Sequence, residues 1–138
     1  MDYLTQNKHP VARLLSGPLI WLPLPFFLLL DFVVFIYHAV CFPIYGIPKV
    51  KRSDYILVRD RNKLQYLNWF EKLGCMYCGY ANGLLMYLKE IAGQTEQYWC
   101  GIMHENQPGF IPQANQKRQK FAKFNDQKDF TKKYGPRK

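Results

Sequence analysis

Residues 75–104 read CMYCGYANGLLMYLKEIAGQTEQYWCGIMH. They hold three of the chain's four cysteines and one of its three histidines. Cys75 and Cys78 form a C-x2-C pair, and Cys100 and His104 a C-x3-H pair. The first spacing puts two thiolates on one side of a tight turn. The second puts a thiolate and an imidazole one helical turn apart on one face. Together they make the donor set of a tetrahedral metal site. Residues 79–99 are long enough to form a helix and bring the second pair back to the first. The stretch therefore predicts a small head of short helices folded around a metal.

The glycines and caps divide the head accordingly. Asp60 can cap a helix from about residue 61, with Leu64, Leu67, Phe70 and Leu73 as its apolar stripe and Gly74 at its end. A turn over 75–79 leads to a second helix over about 80–92, with Leu84, Leu85, Leu88 and Ile91 facing inward. Asn82-Gly83 offers a turn in its place. Gly93 ends that helix, and Thr95 caps a short third one reaching His104. Gln107-Pro108-Gly109 breaks the pattern. Residues 54–58, DYILV, read as a short strand or an extended arm.

Before the head lies an apolar stretch. Residues 14–48 contain no lysine or arginine, and Asp31 is their sole acid. The longest proline-free run, 26–42, would be about 26 Å long as a helix, slightly short of the ~30 Å hydrocarbon core. Adding residues 19–24 makes it long enough to span, with a kink at the Pro23-x-Pro25 pair. Alternatively the kink reverses the chain into a re-entrant hairpin that never crosses. A cleaved signal peptide fits poorly, because the start is weakly basic and no small-x-small site follows the run. Asp31 and His38 sit seven residues apart, on one helical face. Ionisable groups at this depth are costly and face protein or water. They read either as a proton path, a haem or metal ligand or a catalytic pair, or as a helix–helix hydrogen bond or the polar face of a kinked monotopic helix.

Charge orients the chain. Its net charge of +9 is uneven, with nine lysines and arginines between residues 111 and 138 against Asp126 and Asp129. Lys8 and Arg13 precede the apolar stretch, while Lys49, Lys51, Arg52, Arg59, Arg61 and Lys63 follow it. The positive-inside rule puts the head in the cytoplasm, a reducing compartment that suits metal-binding cysteines. The basic tail points to anionic lipid headgroups or an acidic partner, and to a helix that could lie on either.

Thiolates and a neutral imidazole favour one zinc ion, and a closed four-ligand site acts as a staple rather than a catalyst. Iron or an iron–sulfur cluster is the alternative with the same ligands. Glu71 and Glu96, one turn before Cys75 and Cys100, could support the site. Against this stand plain core packing of the cysteines, a Cys75–Cys78 thiol-redox pair, and His104 as a helix C-cap. No phosphate-binding loop, dinucleotide fingerprint, serine nucleophile elbow or H-E-x-x-H motif is present.

The pattern C-x-Y-C-x-Y-x-N-G followed by T-E-Q-Y-W-C and I-x-H, with PIYGIPKVKRSDY at 43–55, resembles a family of small uncharacterised bacterial membrane proteins. Gly101 stands where that pattern has proline. The resemblance runs from the apolar segment to His104, implies a bacterial inner-membrane location, and brings no activity with it.

The sequence thus predicts an all-α protein in three parts. Residues 1–48 form a membrane segment, a kinked transmembrane or re-entrant helix. Residues 49–110 form the metal-stapled head, and 111–138 a basic, partly disordered tail. The leading function is a membrane-anchored accessory or assembly protein of a membrane complex, with other membrane-protein subunits as partners. A membrane-bound redox component is the alternative. Nucleic-acid binding is least favoured, because the apolar segment holds the chain on a membrane.

Overall fold

The computed structural model describes residues 10–118 and 120–136. Lys8, Arg137 and Lys138, which enter the charge argument, lie outside them. Helices α1 (Pro10–Trp21) and α2 (Leu24–Tyr45) meet at a turn over residues 22–23, where the Pro-x-Pro kink was expected. Proline cannot donate a backbone hydrogen bond, so the ladder breaks and re-forms around it. The amides of Leu22 and Phe27 donate to the carbonyls of Pro18 and Pro23, each at 3.0 Å. At its other end α2 closes on Gly46, whose φ of 66° is left-handed, and the Ile47 amide donates back to Phe42 at 2.9 Å. The segment Leu15–Tyr45 is long and apolar enough to cross a membrane by length and composition.

The head departs most from the sequence expectation. In place of three short helices there is one, α3 (Trp69–Trp99), 31 residues long. It begins with a capping box: the Asn68 side chain accepts from the Glu71 amide, and the Glu71 carboxylate accepts from the Asn68 amide, both at 2.9 Å. No proline interrupts it. Interior glycines weaken a helix by roughly 1 kcal/mol each without breaking it. Gly74 and Gly93 therefore do not end helices, and Gly83 lies within a helix rather than a turn. Asn82 bonds back to the Cys78 carbonyl at 2.9 Å. Thr95 is no cap either, since its hydroxyl donates to the Ile91 carbonyl one turn earlier at 2.9 Å. Asp60 caps nothing with its side chain, and only a 3-10 turn, Arg61–Lys63, follows it.

Helices α2 and α3 lie side by side and run the same way. Asp31 meets Tyr80, His38 meets Tyr87, and Tyr45 packs on Tyr98 and Trp99. A parallel pair needs a return connection, and residues 46–68 supply it as a strap running back along both helices. Phe42, Val50, Leu84, Tyr87 and Ile91 form the buried core, so strap and helices share it. Leu88 packs against this core, whereas Leu85 turns out to solvent. The strap backbone crosses α3 where there is no side chain. A Cβ on Gly83 would fall 2.5 Å from the Tyr55 carbonyl oxygen, and one on Gly79 lies 3.5 Å from that of Leu57. Residues 54–58 form no strand; among the described residues the single β feature is an isolated bridge between Ile102 and Ala122.

The basic C-terminal stretch, expected to be loosely ordered, carries α4 (Ala114–Arg118) and α5 (Gln127–Tyr134). Arg118 pairs with Glu90, and Gln116 donates to Glu96 at 3.0 Å. The Asp126 side chain caps α5, and Lys133 donates to the Phe121 carbonyl at 2.8 Å. Gly101, at φ 62°, takes the turn after α3 in a conformation that proline cannot adopt.

Two alanine substitutions should separate the glycine roles. Gly83→Ala forces the strap off α3 and should lower stability by about 1–3 kcal/mol. Gly74→Ala meets nothing within 4 Å and should raise stability by up to about 1 kcal/mol through helix propensity. Thermal unfolding in detergent measures both, and equal effects would contradict the strap crossing.

Candidate functional site

The polar groups of the apolar segment are drawn into two fastenings between α2, α3 and the strap. At the first, the Arg52 guanidinium grips the Asp31 carboxylate with both terminal nitrogens, Nη2 at 2.6 Å from Oδ2. The Tyr80 hydroxyl donates to the same Oδ2 at 2.8 Å. Burial, and then this bond to Asp31, push the Tyr80 pKa up to about 12, so the phenol stays a donor. The hydrogen bonds to Asp31 hold the guanidinium above its usual pKa. Arg52 also lies over the Tyr87 ring, 5.9 Å from its centroid.

At the second fastening, buried His38 joins strap to α3. Its Nε2 accepts the Val50 amide at 3.0 Å, and Nδ1 lies 3.2 Å from the Tyr87 hydroxyl. A backbone amide can only donate, so Nε2 carries no proton. The neutral ring then bears its proton on Nδ1 and donates it to Tyr87. Asp31 and His38 do share one helical face; His38 is buried, whereas Asp31 and the exposed Arg52 border an open groove with Leu28, Phe32 and Phe35. Both nitrogens of His38 are engaged, as are both oxygens of Asp31. Chemically the arrangement is a pair of fasteners between α2, α3 and the strap.

The Cys/His set is distributed along α3 rather than gathered. Cys75 is half-buried and Cys78 exposed, both in the N-terminal part of the helix. Cys100, exposed, caps its C-terminus. At ~1.5 Å per residue, Cys75 and Cys100 stand about 37 Å apart. His104 is exposed beyond the helix, its Nε2 3.8 Å from Glu96 and its ring against Phe110. Glu71 is committed to the capping box, and Glu96 receives Gln116 and Asn115. Cys41 is half-buried on α2, and all four cysteines are free. Among the described residues no group of three or more His, Cys, Asp or Glu side chains converges as a metal site would require. The reason is the unbroken helix between the two pairs.

Arg52, Tyr80, Tyr87 and the Val50 amide are the partners that sequence reasoning missed. In the sequence Arg52 is one cation among several after the apolar stretch, and Tyr80 and Tyr87 carry no motif that marks them. Each partnership joins residues far apart in the chain, which no local period encodes. The Asn68-x-x-Glu71 box was available as a signal and marks the true start of α3. The chain matches no family model, no curated protein and no solved structure at a significant level.

Two mutant cycles follow. Asp31→Ala and Arg52→Ala should be non-additive in stability, with a coupling of about 0.5–3 kcal/mol, because one variant leaves the other charge unpaired. Cys75→Ser and Cys100→Ser should be additive within about 0.5 kcal/mol, as expected of distant sites. Strong coupling of the two cysteines, together with one zinc per chain by elemental analysis, would show that the pairs come together.

Proposed function

We propose that this is a membrane-anchored accessory protein, a small helical adaptor whose head is held against the cytoplasmic face of a membrane and serves other membrane-protein subunits. The observation that carries the reading is the exposed side of α2. Phe26, Leu29, Val33, Ile36, Val40 and Ile44 recur three or four residues apart and are all exposed. A contiguous apolar face of this kind on a soluble molecule would aggregate, so it marks a membrane or partner surface. The strap, packed on the other side of α2, carries the exposed cations Lys49, Lys51, Arg59, Arg61 and Lys63. An apolar face on one side and cations on the other suit a leaflet with anionic headgroups, which is the cytoplasmic one.

The packing of the segment supports its retention in the mature protein. Phe42 is wholly buried in the core of the head, and Asp31 and His38 fasten the strap. A leader removed by processing would take Phe42 and its packed neighbours Phe27, Val34 and Tyr37 with it. The accessory role, rather than catalysis, rests on the same fasteners, because the deepest ionisable groups are consumed in holding the fold. This role does not depend on a metal; the redox alternative needs the four Cys/His ligands to share an ion, and in this fold Cys75 and Cys78 stand a helix length from Cys100.

Fractionation tests the anchor. The full chain should sediment with membranes, resist a high-salt wash and be released by detergent; a protein that stays soluble would overturn it. Replacing Lys49, Lys51, Arg59 and Arg61 with glutamine should weaken binding to anionic liposomes by roughly 1 kcal/mol per cation at low salt. That difference should shrink as salt is added.

A further inference from the structure

We infer that α2 does not cross the bilayer: it lies along the surface, sunk into one leaflet, with strap and α3 on its aqueous side. This rests on the membrane-anchored reading and deepens it. Length and composition permit a span, and the packing argues against one.

Consider α2 set upright. Its 22 residues make about 33 Å of helix, close to the thickness of the hydrocarbon core. Asp31 and His38 then lie about 10 and 21 Å from its start, on either side of the bilayer midplane. Whatever is fastened to them must lie at the same depth. Arg52 is held by Asp31, and the Val50 amide by His38. Lys49 and Lys51, which flank Val50, are exposed and would face acyl chains near the midplane. Charged side chains at that depth are strongly disfavoured. The strap backbone adds a second objection. Residues 47–51 are neither helix nor strand, and irregular backbone is tolerated in hydrocarbon only where protein or water covers it.

Laid flat, the same structure has no such conflict. The face bearing His38 and Phe42 is covered by strap and α3, with Leu28 and Phe35 exposed beside Asp31 at its edge, whereas Phe26, Leu29, Val33, Ile36 and Val40 sweep the opposite side. Those residues enter the acyl region, and the strap cations come level with the phosphates. The turn at residues 22–23 lets α1, with exposed Leu15 and Leu19, continue in the same layer. The occupant of this face is therefore lipid of a single leaflet.

The experiment uses the unmodified chain carrying one tag at each terminus, in spheroplasts and in inverted membrane vesicles. Both tags should be digested by added protease in the inverted vesicles and both protected in spheroplasts. Tags on opposite sides of a membrane-bound protein would overturn the in-plane arrangement while leaving the anchor intact. A protein absent from the membrane fraction would overturn both. A photocrosslinking residue at Val33 decides the occupant: it should label lipid. Labelling of a second copy or of another protein instead would make this face a subunit contact and refute the lipid assignment.

Discussion

The strap has to be tied down for the rest of the molecule to exist. Helices α2 and α3 run in parallel, so the 23 residues between them must retrace the length of the pair. Arg52 on Asp31 and the Val50 amide on His38 fix that return path at two points along α2. Tyr80 and Tyr87 complete the same two points from α3. Each fastening joins all three elements, and Val50 enters the core between them. Releasing the strap would expose a carboxylate and an imidazole in an otherwise apolar helix, which is the expense that ordinarily keeps such groups out of these segments.

Glycine makes the same arrangement possible from the other side. Gly79 and Gly83 stand one turn apart on α3 and leave a bare track for the strap backbone. Gly93 does the same for α4, where a Cβ would collide with the Asn115 side chain. These residues read locally as helix breakers. In the fold they are places where another part of the chain comes close, and their propensity cost is offset by that packing.

Much of the apolar segment was legible. Its helicity, the kink at the Pro-x-Pro pair, the placement of Asp31 and His38 on one face, and the inward positions of Leu84, Leu88 and Ile91 follow from periodicity and proline chemistry. The head was read less well. Four glycines and an Asn-Gly pair outweighed the absence of proline over 31 residues. Once α3 was divided into pieces, the two cysteine pairs could be imagined meeting. Spacing within each pair describes local geometry only; whether the pairs share a site depends on the chain between them.

The sequence by itself determined that the chain is helical, that residues 14–48 are apolar, and where the cations gather, because side-chain periodicity and composition are properties of short windows. Only the tertiary structure decided that α3 is unbroken, that Cys75 and Cys78 stand a helix length from Cys100, and that Arg52 belongs to Asp31. Those outcomes turn on contacts between residues distant in the chain, where burial and hydrogen bonding outweigh local propensities of about 1 kcal/mol per glycine.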